Sequence, residues 1–273
     1  MTFRKVSAGR GAGWIVDGLA VFKDNPGAFL GACLVVGVLS ALPLMNIVIG
    51  LTGVFFYGGL VSALHTQAQN GTPQVAQAFD GFRRPGAVVR LLPIFALNLC
   101  FFVVFIAAFL AALWPLLQEL GQQGTGAKPT PEQVMPLLPV LGKFMLALIP
   151  VATFVGWITL LSVPRAMLDE VPGGTAMREA VSALFANFGA LLVNLLCLAA
   201  IGIVTALVLM IPVALINVVA AKDAALGTLL QIPVFAILTG MIYALYSSVM
   251  YQAWRELFAS DQASPPPLSQ VEL

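Results

Sequence analysis

Charge falls on this chain in islands, and the ground between them is apolar. No charged residue stands between Asp24 and Asp80, Arg90 and Glu119, Lys143 and Arg165, Glu179 and Lys222, or Asp223 and Arg255. A bilayer core about 30 Å thick takes about 20 helical residues to cross. The first gap therefore has room for two crossings and each of the others for one. Pro43, Asn46 and Gly50 supply the turn inside the first gap. Backbone groups in lipid must be bonded within the protein, which leaves helices or closed barrels. Barrel strands alternate apolar and polar residues, and these runs do not. The expectation is an all-α integral membrane protein with about six transmembrane helices, one polytopic domain over residues 1–259.

Composition agrees with this reading. The chain is 60% hydrophobic and 9% charged, where soluble domains are about 25% charged. So few charges cannot cover a water-facing surface of this size, so lipid must be the solvent for much of it. The net charge of +1 gives no basic field for nucleic acid, and no nucleic-acid partner is expected. The basic residues set the orientation. Six crossings put both termini on one side, with ten of the 13 Lys and Arg residues: Arg4, Lys5, Arg10, Lys23, Arg83, Arg84, Arg90, Arg165, Arg178 and Arg255. Lys128, Lys143 and Lys222 fall on the other. Basic loops stay inside, so the pattern predicts a bacterial inner-membrane protein with both termini cytoplasmic. Residues 121–133 (GQQGTGAKPTPEQ) read as a flexible periplasmic loop, and 260–273 (SDQASPPPLSQVEL) as a disordered cytoplasmic tail.

The chain also repeats itself. Gly71-Thr72 recurs as Gly174-Thr175, Phe82 as Phe185, and Gly86-Ala87 as Gly189-Ala190, at one offset of 103 residues. The segment between is helical and amphipathic. Met177, Ala180, Val181, Leu184, Phe185 and Phe188 form one helical face, and Val75, Phe79 and Phe82 a thinner one. Thr72 and Thr175 suit N-caps and Pro73 the first helical position. A looser copy opens the chain, with Trp14, Ile15, Leu19 and Phe22 as its stripe before Pro26-Gly27-Ala28. The predicted unit is an amphipathic cytoplasmic helix followed by a transmembrane hairpin. It occurs over about 10–68, 71–168 and 174–257 as a pseudo-threefold repeat.

The opening Arg4-Lys5-Val6, Gly9-Arg10-Gly11, Trp14-Ile15, Gly18, Phe22 and Asn25-Pro26 is similar to that of uncharacterised proteobacterial six-helix inner-membrane proteins. Phe79-Asp80-Gly81-Phe82 looks like that family's cytoplasmic Phe-x-Gly-Phe turn. The resemblance implies a fold and a location, and transfers no functional residues.

Candidate chemistry is sparse. His65, the sole histidine, falls at the cytoplasmic end of the second crossing and reads as an interfacial polar residue. Asp169-Glu170 read as a solvated turn. Cys33, Cys100 and Cys197 are far apart in apolar runs, which fits small buried hydrophobes and not a metal site. No catalytic, metal or cofactor-binding residue is predicted, and no cofactor. Asn98, Thr153 and Tyr243 form the candidate intramembrane polar site. Gly27 and Gly31 have the spacing of a helix-packing motif.

The first functional expectation is a non-enzymatic membrane protein. Its amphipathic helices would use Trp14, Phe22, Phe82 and Phe185, with Arg83 and Arg84, to meet the inner leaflet, a protein partner or a second copy of the chain. The alternative is a permease or facilitator for an apolar or weakly polar solute. Its foothold is Pro93, Pro150 and Pro233, since discontinuous helices hold substrates in many transporters.

Overall fold

The computed structural model describes residues 3–24, 26–123, 135, 137–220 and 224–259. Most of the expected loop at 121–133, the tail at 260–273, Lys128, Lys222 and the side chains of Phe22 and Lys23 lie outside the described residues. Among the described residues all regular structure is helical. The order is α1 (Arg10–Asp24), α2 (Pro26–Ala41), α3 (Pro43–Ala68), a 3-10 turn (Val75–Phe79) running into the single turn of α4 (Asp80–Arg83), α5 (Ala87–Gln123), α6 (Leu137–Leu168), α7 (Gly173–Ala186), α8 (Phe188–Val219) and α9 (Ala224–Leu257).

Five of these helices are long and apolar enough to cross a bilayer, with spans Leu44–Ala68, Ala87–Pro115, Leu138–Leu168, Phe188–Val219 and Ala225–Leu257. The apolar helix α2 has 16 residues, about 24 Å at 1.5 Å per residue. The span in α8 leaves Leu196, Ile203, Leu207, Val208 and Ile211 each at least 60% exposed. A patch this large is not left to water, and lipid tails match it. The helices run unbroken through Pro93, Pro150, Pro212 and Pro233. The prolines therefore give no discontinuous helix among the described residues.

The chain divides into two compact units, Met1–Phe95 with Ile158–Leu273, and Ala96–Trp157. In the second unit Phe105 stacks on Phe109 and on Phe144, with ring centroids 5.9 and 6.0 Å apart.

In the first unit, helix directions follow from the contacts. Gly37 meets Ala236 and Gly240 while Gly18 meets Ser248, so α1 and α2 run against α9. Tyr57 stacks on Tyr243 at 4.8 Å, and further along both helices His65 meets Trp254 at 5.6 Å. Thus α3 runs with α9, and α2 and α3 are antiparallel. The tightest approach is between α2 and α9. A Cβ on Gly37 would overlap the carbonyl oxygen of Ala236, and one on Gly240 would stand 3.2 Å from that of Cys33. Small residues let helices approach this closely in lipid, where packing replaces the hydrophobic drive. The expected Gly27 and Gly31 spacing is not the seam. Gly27 faces open space, and Gly31 meets only the side chain of Val75.

Each of the short segments seats a glycine against a long helix from elsewhere in the chain. The first, α1, seats Gly11 against the carbonyl oxygen of Ala190 in α8 and hydrogen-bonds to α9. The 3-10 turn and α4 seat Gly81 against the carbonyl oxygen of Phe55 in α3, and Val75 against Gly31 of α2. The third, α7, seats Gly173 against the carbonyl oxygen of Arg90 in α5 and pairs Glu179 with Arg165 of α6. In each case a side chain larger than hydrogen would meet backbone, which does not yield.

Two local expectations are corrected. The segment 75–83 is not one amphipathic α-helix, and neither threonine is its cap. Gln74 caps the 3-10 turn through a reciprocal capping box with Gln77, and α4 stops at Arg83, where Arg84 turns extended before Pro85. The other copy begins at Gly173 behind Pro172, so Thr175 lies inside the first turn.

Candidate interfacial site

Six of the charged residues that break up the apolar sequence, Arg10, Asp17, Glu256, Arg165, Asp169 and Glu179, gather where α1 and α7 meet the ends of α6 and α9. On α1, Arg10, Trp14 and Asp17 stand at i, i+4 and i+7, one helical face. The Arg10 guanidinium donates from Nε to Glu256 Oε1 at 2.8 Å and from Nη2 to Asp17 Oδ2 at 2.9 Å. The Trp14 indole N–H donates to Glu256 Oε2 at 2.7 Å. Glu256 thus receives both residues on its two oxygens. Its hydrogen bond is the largest cause holding the Arg10 guanidinium above its ordinary pKa, against partial burial and with Asp17 adding to it.

Around this pair, buried amides tie backbone to backbone. Asn187 accepts from the Val6 N–H at 2.8 Å and donates to the Arg4 carbonyl at 3.1 Å. Asn194 donates to the Gly11 carbonyl at 3.0 Å, and Gln252 to that of Asp17 at 3.2 Å. The Arg4 N–H donates to the Leu257 carbonyl at 2.8 Å. Residues 4–6 therefore bridge the start of α8 and the end of α9. Unmet polar groups at such ends cost about 1–3 kcal/mol each.

A second cluster repeats the chemistry. Arg165 pairs with Asp169 and with Glu179, each at 2.8 Å. The Trp254 indole N–H donates to Asp169 Oδ2 at 2.6 Å. Both clusters thus hold one arginine, two carboxylates and one indole, with an acid shared between arginine and indole. Arg165 also lies 5.4 Å from the ring centroid of Phe258. Asp169 lies in an exposed bend, as the sequence suggested, and its carboxylate also serves Arg165 and Trp254. Its neighbour Glu170 is the more open of the two, 62% exposed at the side chain, with φ of 56° and a longer 3.7 Å contact to Arg90. Arg90 Nε donates to the Ala166 carbonyl at 3.0 Å.

His65 packs edge-on to Trp254 and bonds through Nε2 to the Gln69 amide at 2.9 Å. Among the described residues its Nδ1 has no hydrogen-bond partner. Among the same residues no three His, Cys, Asp or Glu side chains are grouped to hold a metal ion.

The sequence-predicted surface residues separate. Trp14 is 0% exposed. Its place as a membrane contact is corrected, because the indole N–H needs Glu256 and the ring fills the α1 interface. The side chain of Phe22 lies outside the described residues. Phe82 is 38% exposed and stacks on Phe55 with centroids 4.9 Å apart. Phe185 is 68% exposed. Arg83 and Arg84 are exposed. Helix α7 explains the pattern. It turns Gly173, Ala176, Ala180 and Ala183 inward, and leaves Phe185 and the following Phe188 outward.

Tyr243 is buried against Tyr57 in the first unit, while Asn98 and Thr153 lie half-buried in the second. Sequence reasoning did not single out Glu256, Asp17, Asn187 or Gln252 as partners. The available signal was the shared face of Arg10, Trp14 and Asp17, since an acid there needs a cation nearby. Compared with protein-family models, curated proteins and solved structures, the chain matches none.

Proposed function

We propose that the protein is a non-enzymatic membrane scaffold of the bacterial inner membrane. In this reading six crossings form three hairpins, with α2 as the short sixth, and both termini are cytoplasmic. The resemblance to uncharacterised proteobacterial six-helix proteins fits that location. The short helices close the hairpins into a pseudo-threefold ring on the cytoplasmic side. One observation carries the reading: each short segment docks on the hairpin before it, and the first docks on the last. A linear stack would leave α1 without a hairpin to meet.

The outward faces then have a use. Val16 at 65%, Leu19 at 49%, Phe82 at 38%, Phe185 at 68% and Phe188 at 49% are exposed on or beside the short segments. Apolar side chains at the ends of membrane spans, with Arg83 and Arg84 beside them, match the headgroup boundary of the inner leaflet.

Fluorophores attached at Phe185→Cys and, separately, at Val208→Cys in nanodiscs test this. Lipids spin-labelled near the headgroup should quench the first strongly, and lipids labelled mid-chain should quench the second. A fluorophore at 185 untouched by lipid, with the one at 208 quenched, would leave a protein partner as the occupant of that stripe.

A further inference from the structure

The segment joining the second and third spans carries two arginines whose chemistry is unspent. Arg10, Arg90 and Arg165 each pair with a carboxylate. Among the described residues, Arg83 and Arg84 make no ion pair, and both are exposed. They line an open groove with Gln74, Ala76, Gln77 and Asp80. The other polar groups there, one Asp80 oxygen apart, are already occupied. Gln74 and Gln77 cap one another, and the Gln77 amide donates to Thr66 Oγ1 at 2.9 Å. Asp80 accepts from the Ser62 hydroxyl at 3.3 Å on one oxygen. The guanidinium forks remain as the groove's free donors, and one Asp80 oxygen as an acceptor.

We propose that this groove seats the headgroup of a singly anionic phospholipid that carries hydroxyls, of the phosphatidylglycerol class. The groove's charge is two arginines against one aspartate, so it favours a ligand with one net negative charge. Guanidinium forks bind phosphate oxygens with matched geometry, and a terminal hydroxyl would donate to Asp80. The depth is right for a lipid and not only for a free anion. The bonds to Thr66 and Ser62 hold the groove on the end of the span Leu44–Ala68, and the next span begins at Ala87. Phe82, between the arginine pair and the aspartate in sequence, is partly exposed and offers apolar surface beside the headgroup. The proposal rests on this end of the chain lying at the inner leaflet, which quenching at residue 185 tests without involving the arginines.

Native mass spectrometry of the full chain in detergent, titrated with phosphatidylglycerol, phosphatidylcholine or inorganic phosphate, decides it. The wild type should retain phosphatidylglycerol at about tenfold lower concentration than phosphatidylcholine, a difference of about 1.4 kcal/mol. Arg83→Gln/Arg84→Gln should abolish that preference while its melting temperature stays at the wild-type value, since both side chains are exposed. Preference surviving in the double variant would overturn the assignment. Displacement of the lipid by millimolar inorganic phosphate would overturn it in favour of a small-anion site. Equal retention of both lipids by the wild type would also overturn it, and give the arginines to an acidic protein surface.

Discussion

The indole N–H of Trp14 donates to Oε2 of Glu256 at 2.7 Å, joining helices 242 residues apart in the sequence. The first helix of the chain is thereby fixed to the last turn of the last. Arg10 holds the other oxygen of the same carboxylate. The contact ties α1 to the end of α9 through two side chains on one carboxylate.

Removing that carboxylate should be costly. The side chains of Arg10 and Glu256 are 28% and 26% exposed, so solvent screens the pair only in part. Glu256→Ala should destabilise by about 2–3 kcal/mol, because it strands a guanidinium and an indole N–H. Trp14→Phe should cost less, and the double variant should show coupling of about 1 kcal/mol. Thermal unfolding in detergent would measure all three; additive losses would mean the indole and carboxylate do not interact.

Neighbouring glycines should respond in opposite ways. A Cβ on Gly173 meets the Arg90 carbonyl oxygen, whereas one on Gly174 meets nothing within 4 Å. Gly173→Ala should destabilise by about 1–3 kcal/mol. Gly174→Ala should be neutral or slightly stabilising. Equal melting temperatures for the two variants would contradict the docking of α7 on α5.

The same logic separates the two glycine seams. Gly37→Val should disrupt α2 against α9, since even a Cβ there overlaps the Ala236 carbonyl oxygen. Gly27→Val faces open space and should be tolerated. Protease resistance of the purified protein would report the difference. Greater sensitivity in Gly27→Val than in Gly37→Val would move the seam back to the spacing read from sequence.

Much of the fold was legible because lipid imposes a simple rule. Charge-free runs of sufficient length predict helices, and the five long ones are present. The break between α2 and α3 was legible from Pro43, which becomes the first residue of α3. What was not legible is which face of each short helix turns inward. Hydrophobic periodicity put Trp14 and Phe185 in one class. In the structure Trp14 is buried with its indole N–H on Glu256, and Phe185 is exposed because Ala176, Ala180, Ala183 and Leu184 occupy the inner face of α7. Size complementarity at a glycine seat depends on a partner far away in sequence. Periodicity carries no information about that partner. The partners of Asp169 were illegible for a related reason, since Trp254 and Arg165 come from two different helices.

The exposed Phe185 ring should be dispensable for folding. Phe185→Ser should lower the melting temperature only slightly, because Phe185 is 68% exposed, and adding Phe82→Ser, which removes a ring packed on Phe55 and Phe56, should lower it further. The double variant should weaken lipid or partner association, read as reduced headgroup quenching of a fluorophore at residue 188. A collapse of stability in Phe185→Ser alone would place that ring in the interior.

The central claim is that α2 crosses the membrane, which puts all three short segments on one side. In a variant with Cys33, Cys100 and Cys197 replaced by alanine, a cysteine at Leu44, 83% exposed just beyond α2, reports its side directly. A membrane-impermeant thiol reagent that enters the periplasm should label Leu44→Cys in intact cells, and should label a cysteine at Gly174 only after the inner membrane is permeabilised. Labelling of both positions only after permeabilisation would leave α2 on the cytoplasmic face and contradict the three-hairpin ring.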